Sequence, residues 1–187
     1  MDMDHLYAIG GDPRQPVFEA WSVLAAWAMT TERVRLGLLV GANTLRNPGL
    51  VAKTAATLDH ISDGRAILGL GGGRFDLEHR AYGIEFGSGF GERLDWLDEA
   101  THACRQLLDG ETVNSPAGGH YQFTEAVGLP LPVQRHLPIM IGGLGARKTL
   151  ATVARYADLW NAFGTPAALA ERTLGAPGTP RSNPRAE

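Results

Sequence analysis

The chain has 187 residues, 44% of them apolar and 20% charged, with a net charge of −3. That is enough for one sizeable core in one domain, and no Lys/Arg cluster announces a nucleic acid or an anionic membrane. Cys104 is the single cysteine, which excludes an intrachain disulfide and fits a cytoplasmic protein; the opening "MDMDHLYAIGGDP" has no signal-peptide pattern, and the longest apolar stretch, residues 21–29, is too short to span a bilayer.

Within residues 16–30, Phe18, Trp21, Leu24, Ala25 and Ala28 recur at helical spacing. "RVRLGLLV", residues 33–40, is a short apolar run ended by Gly41 and reads as a buried strand. In "NTLRNP", Asn47 suits an N-cap and Pro48 a first helical residue. The helix they open runs to Ile61, with Val51, Ala55 and Leu58 on one face, and Gly64 suits a left-handed cap. "RAILGLG" is the second strand. Residues 73–90 mix aromatics and charges without a period, so a loop excursion is expected, with Glu78 and His79 solvated on it. A helix over 92–108 turns Leu94, Leu97, Thr101, Cys104 and Leu108 inward. "ETVNSPAGGHYQF" suggests a small hairpin around a Pro/Gly turn. "LPIMIGG" (137–143) is a strand, "ARKTLATVARYA" a helix and "DLWNAF" a strand, and Pro166 opens a last helix. Residues 174–187, rich in Pro, Gly and Arg, are expected to form a disordered tail behind a folded domain over 1–173.

Helices and strands alternate through short connections, which implies parallel strands with crossover helices. Strands or strand ends near Asp4, Arg33, Arg65, Pro138 and Asp158 point to a (β/α)8 TIM-type barrel. A complete one needs about 250 residues, so an incomplete barrel is expected, a fragment of a longer domain. Barrel active sites lie at the C-terminal ends of the strands, and each such end here carries polar or glycine features: Asp4-His5, Gly41 to Thr44, Gly71 to Gly73 followed by Glu78-His79 and Tyr82, Gly142 to Gly145 followed by Arg147-Lys148, and Trp160-Asn161.

"IGGLGARKTL" is the most chemically legible of these. A glycine-rich turn opens a helix with Arg147 and Lys148 at its start. Cations there oppose the helix dipole unless an anion sits among them, so the stretch points to a phosphate. His5 is the side chain best suited to exchange a proton near neutral pH. "GLGGG" lacks the acidic residue and the directly following helix of a dinucleotide-binding turn. With no His-Glu-x-x-His spacing and one cysteine, no metal site is expected.

"DHLY", the whole stretch "ERVRLGLLVGANTLRNPGLVAKTAATLDHISDGRAILGLGGGRFDLEHRAYGIEF", "ERLDWLDEA" and "PIMIGGLGARKTLATVARYADLWN" resemble the luciferase-like monooxygenase superfamily, above all its branch of deazaflavin (coenzyme F420)-dependent oxidoreductases. The resemblance covers roughly residues 4 to 173 and implies a (β/α)8 barrel with the cofactor at the strand ends. It implies that Asp4 and His5 lie beside the reactive centre, with His5 as proton donor. Leu39 and Val40 would form a bulge behind the ring, joined by a non-prolyl cis bond. Asn43 would hydrogen-bond the ring, and Gly71, Gly72 and Gly73 would leave room for it. Gly142, Gly143, Gly145 and Ala146 would offer backbone N–H groups to the cofactor phosphate, with Arg147 and Lys148 adding charge.

The chain departs from the sugar-phosphate dehydrogenases of that superfamily at two positions. Arg74 stands where they carry a catalytic Glu, and "NAFGTP" lacks their substrate-phosphate Lys, so that substrate class is not expected. What the resemblance implies is hydride transfer between coenzyme F420 and a small organic substrate. FMN-dependent monooxygenation on the same fold is the alternative, and a truncated remnant that only binds a cofactor or a partner is a third reading. Nucleic acid and membrane are not expected as partners. An open half-barrel exposes strand edges and invites pairing with a second copy.

Overall fold

Glu19 opens the first helix by accepting the Trp21 and Ser22 backbone N–H groups at 3.2 and 2.7 Å, which caps α1 (Ala20–Thr30). Asn47 does the same for α2 (Pro48–Ile61) through Gly49 N–H at 2.8 Å, and Gly64 closes the following turn at φ +76°. The computed structural model describes residues 3–174; residues 175–187 of the expected tail lie outside the described residues, while Leu174 is the last residue of the final helix.

Strands β1 (Gly41–Ala42), β2 (Leu68–Gly71), β5 (Ile139–Gly142) and β6 (Leu159–Asn161) form one parallel sheet in the order β1-β2-β5-β6. Between β2 and β5 lie α3 (Asp76–Tyr82), α4 (Phe90–Leu108) and the strands β3 (Thr112–Val113) and β4 (Ala126–Val127), which pair antiparallel. Helix α5 (Lys148–Tyr156) crosses from β5 to β6, and α6 (Pro166–Leu174) follows. The strands are parallel and the barrel is not closed, as expected for an incomplete TIM-type barrel.

Alternation along the strands separates two faces. Leu68 and Leu70 pair with Ile139 and Ile141, and all four are buried in one cluster with Val51 and Ala55 of α2 and Leu97 and Cys104 of α4. The opposite face carries Gly69, Gly71, Met140 and Gly142. Burial pushes the Cys104 thiol up to about 12, so it is an inert core residue.

Three expectations are corrected. The strand over 33–40 is reduced to bridges at Leu36, which pairs parallel with Ala66, and at Leu38, because the chain bends at Leu39 and Val40 and lays Val40 across Gly71 and Gly142. Among the described residues no strand forms at Asp4. Residues 73–90 are not all loop: α3 forms within them, closed by Gly83 at φ +66°. Its inward face is polar, with Glu78 and His79 both at 0% exposure, so it shows no apolar stripe and neither residue is solvated.

Candidate active site

The strand ends fall into one row. Parallel register places Ala42 beside Gly71, Gly71 beside Gly142, and Gly142 beside Asn161, so the loops after all four strands share one rim. The segment carrying Asp4 and His5 joins the same rim, because Ala42 N–H donates to Asp4 Oδ2 at 3.1 Å.

The peptide bond between Leu39 and Val40 is cis. Val40 lies across the glycine face of the sheet. A Cβ on Gly71 would stand 2.7 Å from Val40 Cγ2, and one on Gly142 would stand 2.6 Å from the same atom. The nearest neighbour these two glycines admit is therefore Val40. Gly72 lies against Leu94 and Gly73 against Thr44 in the same way.

His5 and Glu78 are 73 residues apart in sequence and meet at 3.0 Å, Nδ1 to Oε1. The other oxygen of Glu78 accepts Leu6 N–H at 2.7 Å. His5 Nε2 has no hydrogen-bond partner among the described residues. An apolar pocket of about 340 Å³ opens beside the ring, walled by Tyr7, Ile9, Val17, Phe18 and Trp27.

Asp4 is buried and pairs with Arg46 at 2.7 Å, and the second arm of Arg46 reaches Glu19 at 2.7 Å. Burial pushes the Asp4 carboxyl above its usual value, opposed by the Arg46 guanidinium and by Ala42 N–H. Partial burial also raises Glu19, but the Ser22 hydroxyl and the α1 backbone N–H groups outweigh it and hold the carboxyl below its usual range.

The Asn43 amide is already engaged: Nδ2 donates to Tyr121 Oη at 3.1 Å. Burial pushes the Tyr121 phenol well up, so it serves as a neutral hydroxyl. Thr44 Oγ1 meets His79 Nε2 at 2.7 Å, which ties α3 to the turn after β1.

The loop from β5 to α5 is held at three points. Gly143 N–H donates to Asn161 O at 3.0 Å, Trp160 Nε1 donates to Gly143 O at 2.8 Å, and Arg172 donates to Leu144 O at 2.8 Å. Gly143 therefore has its N–H committed to Asn161 O. Lys148 is likewise committed, to Asp95 at 2.6 Å and Gly91 O at 3.0 Å. Arg147 has no side-chain partner among the described residues, the N–H groups of Gly145 and Ala146 have no acceptor there, and the first turn of α5 holds no acid.

A sequence model described as "Luciferase-like monooxygenase" matches residues 4–176. The chain belongs to this family. Among luciferase-like relatives, a putative coenzyme F420-dependent oxidoreductase of Mycobacterium tuberculosis, Rv3520c, is 34% identical over 153 residues, 76% of this chain and 43% of that protein. The coenzyme F420-dependent tetrahydromethanopterin reductase of Methanopyrus kandleri superposes with a TM-score of 0.72 at 22% identity, over 87% of this chain and 49% of that one. Monooxygenase RslO1 of Streptomyces bottropensis superposes with a TM-score of 0.64 at 30% identity, over 73% and 40%. The chain spans about half the length of the curated relatives it matches.

On this luciferase-like frame, Asp4, His5, Asn43, Gly71 and Gly142 gather on the rim, and Gly145, Ala146 and Arg147 stand on the loop that leaves it. Sequence reasoning missed Arg46, Tyr121 and the burial of Glu78. The one signal for Glu78 was its place shortly after the strand-end glycines, since its partner lies at the other end of the segment. Among the described residues no helix is long and apolar enough to cross a membrane, and no group of three His, Cys, Asp or Glu side chains could hold a metal ion.

Proposed function

We propose that the chain carries the cofactor rim of a coenzyme F420-dependent oxidoreductase acting on a small organic substrate, with His5 as its proton partner. The observation that supports this most is the single row Ala42–Gly71–Gly142–Asn161 with His5 beside it and Nε2 uncommitted. The residues fit a planar group with an anionic tail. The sheet face is bare of side chains at Gly71 and Gly142 except for Val40, which offers an apolar surface. Gly145 and Ala146 N–H and the Arg147 guanidinium are donors without acceptors, which suits a phosphate.

When bound, coenzyme F420 supplies or accepts the hydride. Every other contribution comes from the chain. Gly145, Ala146 and Arg147 hold the phosphate. Val40 backs the ring and orients it. The pocket formed by Tyr7, Ile9, Val17, Phe18 and Trp27 gives an apolar substrate a surface to lie against. His5 Nε2 gives or takes the proton that accompanies hydride transfer.

Titrating the chain with coenzyme F420 and, separately, with FMN tests this. Saturable F420 binding is expected, with His5→Asn lowering hydride transfer at least about 100-fold while binding is kept. Binding of FMN alone, with oxygen uptake on reduction, would transfer the reading to an FMN-dependent monooxygenase; RslO1 is named a monooxygenase. A folded chain that binds neither cofactor would overturn both.

A further inference from the structure

We infer that Glu78 is a positioning residue that selects which nitrogen of His5 faces the rim. Glu78 lies on α3 with no exposed surface, and both its oxygens are used on one short segment. Oε1 takes the His5 ring at Nδ1 and Oε2 takes the Leu6 backbone N–H, at 3.0 and 2.7 Å. A carboxylate only accepts, so the proton of the neutral ring sits on Nδ1 and the lone pair sits on Nε2. Nε2 is the nitrogen with no partner among the described residues.

The neighbouring His79 makes this arrangement rigid. Its Nδ1 meets Phe75 O at 2.8 Å, so Nδ1 carries the proton there as well, and Nε2 accepts from the Thr44 hydroxyl at 2.7 Å. The ring also packs on Phe86, with centroids 4.2 Å apart. Thr44 sits two residues after Ala42, whose N–H holds Asp4. The contacts therefore close a circuit: Asp4 to Ala42, Thr44 to His79, Glu78 to His5, and His5 back to Asp4 along the chain. A buried carboxylate is a costly way to join two segments, since an apolar pair would hold them at least as well. What the carboxylate adds is a choice of tautomer.

The catalytic meaning of this choice rests on the functional reading above; the ring geometry does not. The test is two-bond 1H–15N NMR of the His5 ring in the full chain at alkaline pH, where an imidazole is neutral. The wild-type ring is expected in the Nδ1–H form. In Glu78→Gln the amide oxygen keeps Leu6 N–H while the NH2 group donates to Nδ1, so the ring is expected to invert to Nε2–H. A wild-type ring protonated on Nε2 overturns the inference, and that measurement decides it even where Glu78→Gln does not fold. A folded Glu78→Gln with an unchanged Nδ1–H ring also overturns it. An inverted ring in a protein whose hydride transfer survives His5→Asn would uphold the positioning role and remove His5 as proton partner.

Discussion

The two edges of the parallel sheet both carry polar clusters, yet they are finished differently. At the N-terminal edge every group named here ends on a protein partner. The Arg65 guanidinium donates to Ser62 O, Thr31 Oγ1, Val34 O, Ala28 O and Thr31 O, between 2.6 and 3.0 Å. Asp59, at 0% exposure, accepts from Ala66 N–H and from both nitrogens of Gln134. Asp158 accepts from Ile139 N–H, Arg105 and His136. At the C-terminal edge, His5 Nε2, Arg147 and the Gly145 and Ala146 N–H groups are left open among the described residues. Closed clusters hold a fold together. Donors left open on a pinned loop are ready for a ligand without further ordering.

The largest effect on stability is expected from the closed edge. Asp59→Ala takes the acceptor from the buried Ala66 N–H and from the half-buried Gln134 N–H, while Gln134 Nε2 keeps Ala66 O, and should cost about 3 kcal/mol in urea denaturation, since each orphaned buried group costs roughly 1–3 kcal/mol. Gly142→Ala comes next. Its new Cβ stands 2.6 Å from Val40 Cγ2, and overpacking of this kind costs about 1–3 kcal/mol. Val40→Ala in the same chain should recover most of that loss, and a double-mutant cycle reads the coupling. A cycle without coupling would break the link drawn here between the strand-end glycines and Val40.

At the open edge the effect should fall on binding. Arg147→Ala is expected to weaken coenzyme F420 binding about tenfold, or about 1.4 kcal/mol, with the denaturation midpoint unchanged. Lys148→Ala should do less, because its ammonium already pairs with Asp95. Equal effects would mean that the ion pair opens on binding.

The smallest effects separate the edges by sign. Burial raises Asp158, but Ile139 N–H, His136 and Arg105 bring its carboxyl below the usual value. Its stabilisation is present above the ordinary aspartate pKa and lost as pH falls through the lowered folded one. Asp158→Asn should cost at most about 1 kcal/mol at neutral pH after solvent screening, and the gap should close in acid. Asp4 is raised by burial, so its titration favours the fold below the ordinary aspartate pKa, and that advantage fades as pH rises through the raised one. Asp4→Asn should therefore cost least at neutral pH, the reverse of Asp158→Asn. Parallel pH profiles for the two variants would contradict the contrast.

The closed parts of the molecule were the more legible in the sequence. Asn47, Pro48 and the spacing of Val51, Ala55 and Leu58 announce α2 because cap chemistry and apolar period are local. Leu94, Leu97, Cys104 and Leu108 announce α4 in the same way. The strand over 33–40 is shorter than its apolar run suggests, because that run does not mark the bend at Leu39 and Val40 that carries Val40 over Gly71 and Gly142. Helix α3 was missed because it turns Glu78 and His79 inward, so the period that marks other helices is absent there. The rim positions of Asp4, His5, Gly71 and Gly142 followed from the strand-end rule for barrels. The partners did not: Glu78 reaches His5, Arg46 reaches Asp4 and Tyr121 reaches Asn43 only through topology, across 73, 42 and 78 residues.

Amide chemical shifts followed through a titration with coenzyme F420 test the central claim most directly, because one experiment reads both edges. The account expects saturable shifts at Ala42, Gly71, Gly145 and Ala146, with Arg65, Ala66 and Ile139 unmoved. Shifts centred on Arg65, Ala66 and Ile139, or no saturable shift on the glycine rim of a folded chain, would contradict it.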